Sequence, residues 1–232
     1  MAQRPFGRST LAHALKAYNW PKYAQSLLPL GGFSACRLCG SGDAPHGICV
    51  ACTADLPWFL PAGSRLRIPQ GLDYLQVAMR YEFPINQLIA AAKYQGDLGA
   101  ARILGRLLAS RLADWEYPEV IVPIPMPWPR YLLRGYNHTL IIASAIAANC
   151  SLPVANNLLR RHGWQRPQRD LSRRERLKNL RDAFVVKQSL NGRHVVLVDD
   201  VITTGVTLRA AARVLRLAGA ARIGAWVIAA AC

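Results

Sequence analysis

The sequence predicts an α/β protein, a doubly wound parallel sheet that carries a small N-terminal knuckle of the zinc-ribbon type. Strand and helix patterns alternate throughout 119–232, which favours parallel strands joined by helices. A buried strand pattern at 195–198 is followed by two acids, a turn of small residues and a helical pattern. Two Cys-x-x-Cys pairs predict the knuckle. We divide the chain into a lead-in over 1–35, the knuckle with its connector over 36–68, and an α/β domain over 69–232.

The composition is that of a packed protein with an anionic partner. A chain of 232 residues with 52% hydrophobic content suits one α/β domain with a small appendage. Lysine and arginine number 29 against 13 acids, a net charge of +16, and only five of the 29 are lysines. Arginine suits phosphate. The charge therefore predicts a nucleic acid, a polyphosphate substrate or an anionic membrane surface as partner, without choosing among them.

The hydropathy pattern predicts no membrane span. No stretch approaches the roughly 20 apolar residues that a spanning helix needs, and the apolar run 223–232 predicts a closing buried strand. The apolar run 27–30 is too short for the core of a signal peptide. We therefore expect a cytoplasmic location, with peripheral attachment at the inner membrane as the alternative.

Four cysteines form the predicted knuckle, Cys36 with Cys39 and Cys49 with Cys52. The Gly- and Pro-containing spacer between the pairs can fold back, so that four thiolates converge on one structural zinc ion. Two disulfides are the alternative, and they would require an oxidising compartment. His46 could replace one ligand, but with four cysteines present we predict that it is a loop residue.

The first part of the α/β domain alternates strands and helices. Residues 73–83 predict a strand, followed by helices over 85–94 and 98–115. The sequence EVIVPIP at 119–125 predicts the first strongly buried strand, which its prolines end. A further helix is predicted over 139–149.

We predict that residues 126–138, MPWPRYLLRGYNH, form a loop between that buried strand and the next helix. Its polar side chains, Arg130, Arg134, Asn137 and His138, could face a diphosphate at the carboxyl edge of the sheet. A purely structural role for Asn137, as a cap on the helix that follows, is an equal alternative.

A strongly basic segment separates this helix from the central motif. A short extended piece at 153–155 precedes it, and a strand at 184–186 follows it. Eight arginines and one lysine against two acids give 160–181 a net charge of +7. Such runs are usually solvated, and we predict a flexible loop over 163–172 and a basic helix over 173–180.

The central motif is VVLVDDVITTGVT at 195–207, which begins as a buried strand. Asp199 and Asp200 come at the carboxyl end of that strand, where open parallel sheets bind ligands. Two adjacent carboxylates can accept hydrogen bonds from the vicinal hydroxyls of a ribose. The alternative is that the two acids only stabilise a turn.

The turn after the acids is suited to a phosphate. The hydroxyls of Thr203, Thr204 and Thr207, together with the amides of a helix that we expect to begin near Leu208, can cradle a phosphate group. Gly205 would let the backbone approach the ligand. With the two acids, this turn predicts a ribose 5-phosphate site.

The central motif resembles the phosphoribosyl-pyrophosphate motif of type I phosphoribosyltransferases, which has a hydrophobic strand, two acids and a TTG-type turn. The whole layout from Cys36 onward resembles the ComF family, also called GntX-like, which is associated with competence and DNA utilisation in bacteria. Besides the Cys-x-x-Cys pairs and the central motif, the resemblance rests on AAKYQGD, IVPIP with RGYNH, and QRPQRDLSRRERLKNLRDAF. It implies that 69–232 is a phosphoribosyltransferase-like domain.

The resemblance also implies roles for individual residues. The ribose-phosphate site would comprise Asp199, Asp200, Thr203, Thr204, Gly205 and Thr207. The diphosphate side would include Arg134, Gly135, Tyr136 and Asn137, and the loop that closes over it would include Gln168, Arg176 and Asn179. Magnesium would accompany phosphoribosyl pyrophosphate, and Asp199, Asp200 and Arg134 would be the catalytic residues of a working transferase. His138 departs from the family, which has Gln in the motif RGFNQ.

The function implied is DNA uptake in natural transformation, or DNA utilisation, with a domain that binds phosphoribosyl pyrophosphate or a related ribose phosphate. Single-stranded DNA would contact the basic segment at Arg169, Arg173 and Arg174, with aromatic residues available for stacking. The alternative is an active phosphoribosyltransferase of nucleotide or related metabolism with an unknown acceptor and no DNA role. In a third possibility the zinc knuckle docks on a DNA-uptake helicase or channel protein.

Overall fold

The computed structural model describes residues 35–44, 47–60, 66–112, 118–161 and 183–231. In chain order the elements are α1 (Val50–Ala54), β1 (Tyr74–Arg80), α2 (Ile85–Tyr94), α3 (Leu98–Ala109), β2 (Val120–Pro123), α4 (Trp128–Arg134), α5 (His138–Cys150), β3 (Leu159–Arg161), β4 (Phe184–Val186), β5 (His194–Ile202), α6 (Val206–Leu217) and β6 (Arg222–Ala230). Within the described ranges the longest helix has 13 residues, and none is long and apolar enough to cross a membrane.

The four main strands form one parallel sheet in the order β1-β6-β5-β2. β5 lies at its centre, with Val198 opposite Trp226 on one side and Pro123 on the other. A single parallel bridge between Ile121 and Val154 continues the sheet beyond β2. Strands β3 and β4 pair separately as a small antiparallel ribbon. The predicted doubly wound parallel sheet is confirmed.

Helices cover the sheet on both faces. Side chains of α2, α3 and α5 pack with Val196 and Val198 of β5, and the knuckle residues Cys36 and Cys49 belong to the same buried cluster. We call this side the three-helix face. Helices α3 and α5 approach closely there, because a Cβ on Gly105 would lie 2.6 Å from the carbonyl oxygen of Ile142.

The opposite side, which we call the α6 face, is covered by α6 and by the ribbon β3–β4. Val195 and Leu197 of β5 point to this side and pack with Leu208 of α6 and Phe184 of β4. Successive side chains of a strand point to opposite faces of a sheet. The central strand therefore contributes to both cores, which explains its continuous run of apolar residues.

The structure corrects the prediction that 126–138 form a loop, because Trp128–Arg134 is the helix α4. Pro129 lies in the first turn, where proline favours a helix instead of breaking it. Gly135 ends the helix in the left-handed conformation, with φ +76°. Helix α3 ends at Ala109, earlier than the predicted residue 115.

Candidate functional site

The carboxyl ends of β2 and β5 meet at one edge of the sheet, and the candidate site lies there. The chain leaves β2 into α4 and α5, which carry Arg134 and His138. Asp199 and Asp200 lie near the carboxyl end of β5, which continues to Ile202 before the turn that precedes α6. The parallel topology thus brings together residues that lie more than 60 positions apart in the sequence.

Asp200 is buried on the three-helix face between two nitrogen donors. The Lys93 Nζ lies 2.9 Å from its Oδ1, and His138 Nε2 contacts its Oδ2. Burial alone would raise the pKa of Asp200, but the hydrogen bond from His138 and the charge of Lys93 outweigh it and hold the pKa below the usual range. Asp200 is therefore a fixed, ionised carboxylate whose oxygens already have protein partners.

His138 links Asp200 to Arg134. Its Nδ1 lies 2.9 Å from an Arg134 terminal nitrogen, while its Nε2 faces Asp200. The Arg134 guanidinium also lies over the ring of Tyr94, 5.3 Å from the ring centre. These contacts hold Arg134 at the carboxyl edge. A guanidinium has five N–H donors, so the bond to His138 leaves others for an anion.

Asp199 points to the α6 face and is partly exposed. Its Oδ1 accepts a hydrogen bond of 2.9 Å from the Asp200 N–H. Burial and the adjacent charge of Asp200 raise the pKa of Asp199 to about 8, against the weaker opposing charges of Lys93 and Arg161. Asp199 is thus the member of the pair whose carboxylate would gain most from a cation or a hydroxyl donor.

A further arginine, Arg161, lies near Asp199, and Arg130 lies near Arg161. Burial and the neighbouring charge of Arg130 lower the pKa of Arg161, and the charge of Asp199 acts in the opposite direction. The Arg161 guanidinium also lies 5.5 Å from the centre of the Phe184 ring. Arg130 itself is exposed on α4. Among the described residues, Arg161 therefore places positive charge beside Asp199.

The turn between β5 and α6 leaves Thr203 and Thr204 exposed and Thr207 half-buried. Helix α6 begins at Val206, two residues before the predicted start near Leu208. The first amides of a helix have no partner within it, so this turn and helix start could bind a phosphate dianion.

Gly205 caps α6 in the left-handed region, with φ +69°. A Cβ at this position would lie 2.6 Å from the ring of Pro69. The structure therefore gives two local reasons for glycine, the turn conformation and the closeness of Pro69. A ligand contact at Gly205 stays a prediction.

Asn137 immediately precedes α5, but its side chain does not bond to a helix amide. Its Nδ2 donates to the carbonyl of Ile124 at 3.2 Å, and its Oδ1 accepts from the Thr139 hydroxyl at 2.7 Å. These bonds tie the chain before α5 to the end of β2. Asn137 therefore does not cap the helix with its side chain; its structural role is to bond the loop to the residue after β2. A diphosphate contact stays a prediction.

Several predicted site residues lie outside the described residues. They are Gln168, Arg176 and Asn179 of the predicted closing loop, and Arg169, Arg173 and Arg174 of the predicted DNA contact. Their roles stay predictions.

The four knuckle cysteines converge as predicted. The Sγ atoms of Cys36, Cys39, Cys49 and Cys52 all lie within 4.8 Å of one another, and those of Cys39 and Cys49 are 3.7 Å apart. Four sulfurs about 2.3 Å from one zinc ion in a tetrahedron stand about 3.8 Å apart. The Cys49 N–H also donates to the Cys36 sulfur at 3.3 Å. The cluster can hold one metal ion.

The knuckle contacts the residue that caps the start of α3. Arg37, between the first two cysteines, forms an ion pair with Asp97. Asp97 caps α3 by accepting from the Ala100 N–H at 2.9 Å, and it follows closely after Lys93 in the chain. The cysteine cluster and the Asp200 partner Lys93 are therefore linked through the turn between α2 and α3.

The sequence alone did not assign a role to Lys93 and did not single out Arg161. Lys93 lies in AAKYQGD, one of the segments that carry the family resemblance, and that segment was the available signal. Its partner is more than 100 positions away, so no local pattern reveals the ion pair. Arg161 lies at the end of β3, within a segment whose charge is typical of a solvated surface.

Comparisons with known proteins agree with this fold. The phosphoribosyl transferase domain family matches residues 145–231. Competence protein F of Haemophilus influenzae is 33% identical over 204 residues, covering 84% of this chain and 89% of that protein. DNA utilization protein YhgH of Escherichia coli K12 is 29% identical over 209 residues, covering 87% of this chain and 92% of that protein.

Among solved structures, the glutamine phosphoribosylpyrophosphate amidotransferase from B. subtilis superposes with a TM-score of 0.39 at 23% identity, over 54% of this chain and 25% of that enzyme. With identity of 33% across most of both sequences, the chain belongs to the family of competence protein F, and it carries that family's phosphoribosyltransferase domain.

Proposed function

We propose that this protein binds phosphoribosyl pyrophosphate, or a related ribose phosphate, at the carboxyl edge of its sheet and acts in DNA uptake or utilisation in the cytoplasm. The observation that carries the proposal is the arrangement of three groups around one edge. These are the partly exposed Asp199, the threonine turn before α6, and Arg134 held between His138 and Tyr94.

Each group suits one part of such a ligand. The amides at the start of α6, with Thr203 and Thr204, would bind the 5-phosphate. Asp199 would accept hydrogen bonds from the ribose hydroxyls, and the free donors of Arg134 would bind the diphosphate. Asp200 would support the site without contacting the ligand, because its oxygens already contact Lys93 and His138.

Mg²⁺ fits this edge. It takes oxygen ligands, and Asp199 offers a carboxylate with no lysine or arginine nitrogen within ion-pair distance among the described residues. Asp199 would hold the ion together with oxygens of the diphosphate, and the ion would neutralise part of the diphosphate charge.

Calorimetric titration with phosphoribosyl pyrophosphate and Mg²⁺ tests the ligand. We expect the wild type to bind, and Asp199→Asn and Thr204→Val each to weaken binding by at least about tenfold, as loss of a charged hydrogen bond does. Glu119→Gln is the matched control, because this acid lies at the amino edge of the sheet. Equal affinity in the wild type and Asp199→Asn, or no binding by the wild type, would refute the proposed site.

The DNA part of the proposal rests on the net charge of +16 and on α4. Trp128 and Tyr131 are exposed on this helix and stack on each other, with ring centres 5.8 Å apart and planes 14° apart. Arg130 is exposed between them. Stacked aromatics beside arginine are typical of sites that bind single strands through bases and phosphates together.

Affinity for single-stranded DNA, measured at several salt concentrations, tests this part. We expect affinity that falls steeply with salt, and that Arg169→Ala/Arg173→Ala/Arg174→Ala weakens it and flattens the salt dependence. The control is Arg209→Ala/Arg213→Ala, which removes exposed charge from α6. If both sets of substitutions weaken binding equally, the contact is general attraction to a basic protein. Ligand turnover without DNA affinity would favour the metabolic alternative.

We also propose that the metal at the four cysteines is Zn²⁺ with a structural role. The donors are four sulfurs, and their spacing suits tetrahedral zinc. Elemental analysis of the purified protein should find one zinc per chain. A metal-free folded protein, or thiol counting that shows two disulfides, would refute this assignment.

A further inference from the structure

His138 occupies a position between an obligate donor and an obligate acceptor. Its Nδ1 faces Arg134 at 2.9 Å, and its Nε2 faces the Asp200 carboxylate. The ring is buried, with 7% of its surface exposed. Solvent therefore has little access to satisfy either nitrogen if one of these partners is lost.

The chemistry of the two partners fixes the proton on the ring. An arginine can only donate, so His138 Nδ1 must accept and carries no proton. An ionised carboxylate can only accept, so Nε2 must carry the proton and donate it to Asp200. The contacts thus select the neutral ring with hydrogen on Nε2.

We propose that His138 is a positioning residue that holds Arg134 and Asp200 in register, and that it does so only in this neutral form. The inference rests on the proposed ribose-phosphate site, in which Arg134 binds the diphosphate. His138 itself touches no ligand atom in this scheme. It acts by aiming the guanidinium of Arg134 and by supporting the carboxylate next to Asp199.

Protonation of His138 would break this arrangement. A second ring proton, on Nδ1, would point at the N–H groups of Arg134, so two donors would face each other. The guanidinium would have to leave, and its alignment with the diphosphate would be lost. Protonation of the ring should therefore weaken binding of the diphosphate.

The charged groups around the ring act in both directions. Asp200 on β5 favours the protonated ring, whereas Lys93 on α2 and Arg134 on α4 disfavour it. Asp199 lies on the other side of β5 with the Arg161 charge nearby, and the titration of Asp199 contributes to any pH profile. A test must therefore compare variants that differ only at position 138.

Glutamine provides that comparison. Its side-chain amide has one acceptor and one donor, like the neutral ring, and it does not titrate. His138→Gln can thus accept from Arg134 and donate to Asp200 at every pH. His138→Leu fills the space but makes neither bond.

Titration with phosphoribosyl pyrophosphate and Mg²⁺ from pH 8 to pH 5.5 tests the effect on binding. At pH 8 we expect His138→Leu to bind at least about tenfold more weakly than the wild type, and His138→Gln to restore most of the loss. Towards pH 5.5 the wild type should lose affinity relative to His138→Gln. A constant ratio between these two proteins, or full binding by His138→Leu, would overturn the proposal.

Nitrogen NMR of the free protein gives a readout that needs no ligand. The shifts of the His138 ring should report a neutral ring protonated on Nε2 at pH 7.5, and Arg134→Lys should change the Nδ1 shift. A ring protonated on Nδ1 at this pH would overturn the inference even if the ligand binds. Failure of every variant to bind the ligand would instead refute the ribose-phosphate site, and the NMR result would still decide the state of His138.

Discussion

The two faces of the sheet shift the pKa values of two adjacent acids in opposite directions. On the three-helix face, Asp200 is buried between Lys93 and His138, and its pKa is held low. On the α6 face, Asp199 has a raised pKa and, within the described chain, no lysine or arginine nitrogen within 4 Å of its carboxylate. The alternation of side chains along β5 is sufficient to separate them.

This difference suggests that the pair divides two tasks. One acid is neutralised by protein cations and helps to hold α2, α5 and β5 together. The other acid has a raised pKa, and a bound cation or hydroxyl donor would stabilise its charged form. Residues with strongly shifted pKa values are common at functional sites. We therefore expect substitutions on the three-helix face to lower stability and substitutions on the α6 face to weaken ligand binding.

Removal of the knuckle metal should have the largest effect, because the knuckle belongs to the core of the three-helix face. Cys49→Ser removes a buried ligand, and we expect loss of the metal and a decrease of about 4 kcal/mol or more in the free energy of unfolding. Cys150→Ser, on α5, is the matched control and should change stability far less. Denaturant unfolding with metal analysis measures both, and equal losses in the two variants would contradict a structural metal.

Asp200→Asn should cause the second-largest loss of stability. The substitution keeps the shape of the side chain but leaves Lys93, whose side chain is 21% exposed, without its charge partner. We expect a loss of about 2–3 kcal/mol in denaturant unfolding at pH 7.5. Glu82→Gln breaks an ion pair with Arg80 in which both side chains are more than half exposed, and it should cost less than about 0.5 kcal/mol. Similar losses in both variants would remove the distinction between the faces.

Much of this fold follows from local patterns in the sequence. The apolar runs at β2, β5 and β6 predict buried parallel strands, and their alternation with helices predicts a sheet covered on both faces. Helix α4 was missed because its prolines suggest a loop, although a proline in the first turn starts a helix. The position of β1 beside β6 depends on contacts between distant parts of the chain, which no local pattern encodes.

The candidate site could be located in the sequence but not resolved into roles. The strand, the acids and the threonine turn mark the edge where a ligand would bind. The sequence cannot show that Asp199 and Asp200 differ, because their difference comes from Lys93 and His138, which other elements supply. For the same reason, the sequence cannot explain the histidine at position 138, where the family has Gln. Its contacts with Arg134 and Asp200 are visible only in the structure.

Lys93→Met removes the other member of the ion pair with Asp200 on the three-helix face. It should lower the free energy of unfolding less than Asp200→Asn does. Asp200 keeps its bond to His138, and the methionine covers the space of the lysine stem. We expect a loss of about 1–2 kcal/mol at pH 7.5. The loss should shrink at low pH, because Asp200, whose pKa is lowered in the folded protein, gives up its charge as the pH falls through that value. A loss that is independent of pH would mean that Lys93 contributes packing and not charge.

Asp199→Asn should have the smallest effect on stability near pH 4, where the folded wild type keeps the proton of Asp199, and the sign of its change at higher pH distinguishes the two acids. The folded pKa of Asp199, about 8, lies above the ordinary value of 3.8, so the folded protein binds a proton more tightly than the unfolded chain does. The stability that this proton provides is complete below pH 4 and is lost as the pH rises towards 8. The variant cannot lose that proton, so it should gain stability relative to the wild type across this window, while its ligand binding falls.

The same experiment on Asp200 must give the opposite slope, since its folded pKa is lowered and its contribution is lost as the pH falls. Unfolding measured from pH 3 to pH 8 for both asparagine variants therefore yields two differences of opposite sign if the faces divide the tasks: the gain of Asp199→Asn grows between pH 4 and pH 8, and the loss of Asp200→Asn shrinks below about pH 4. Differences of the same sign would mean that the two acids behave as one coupled pair, and that the ligand meets them together.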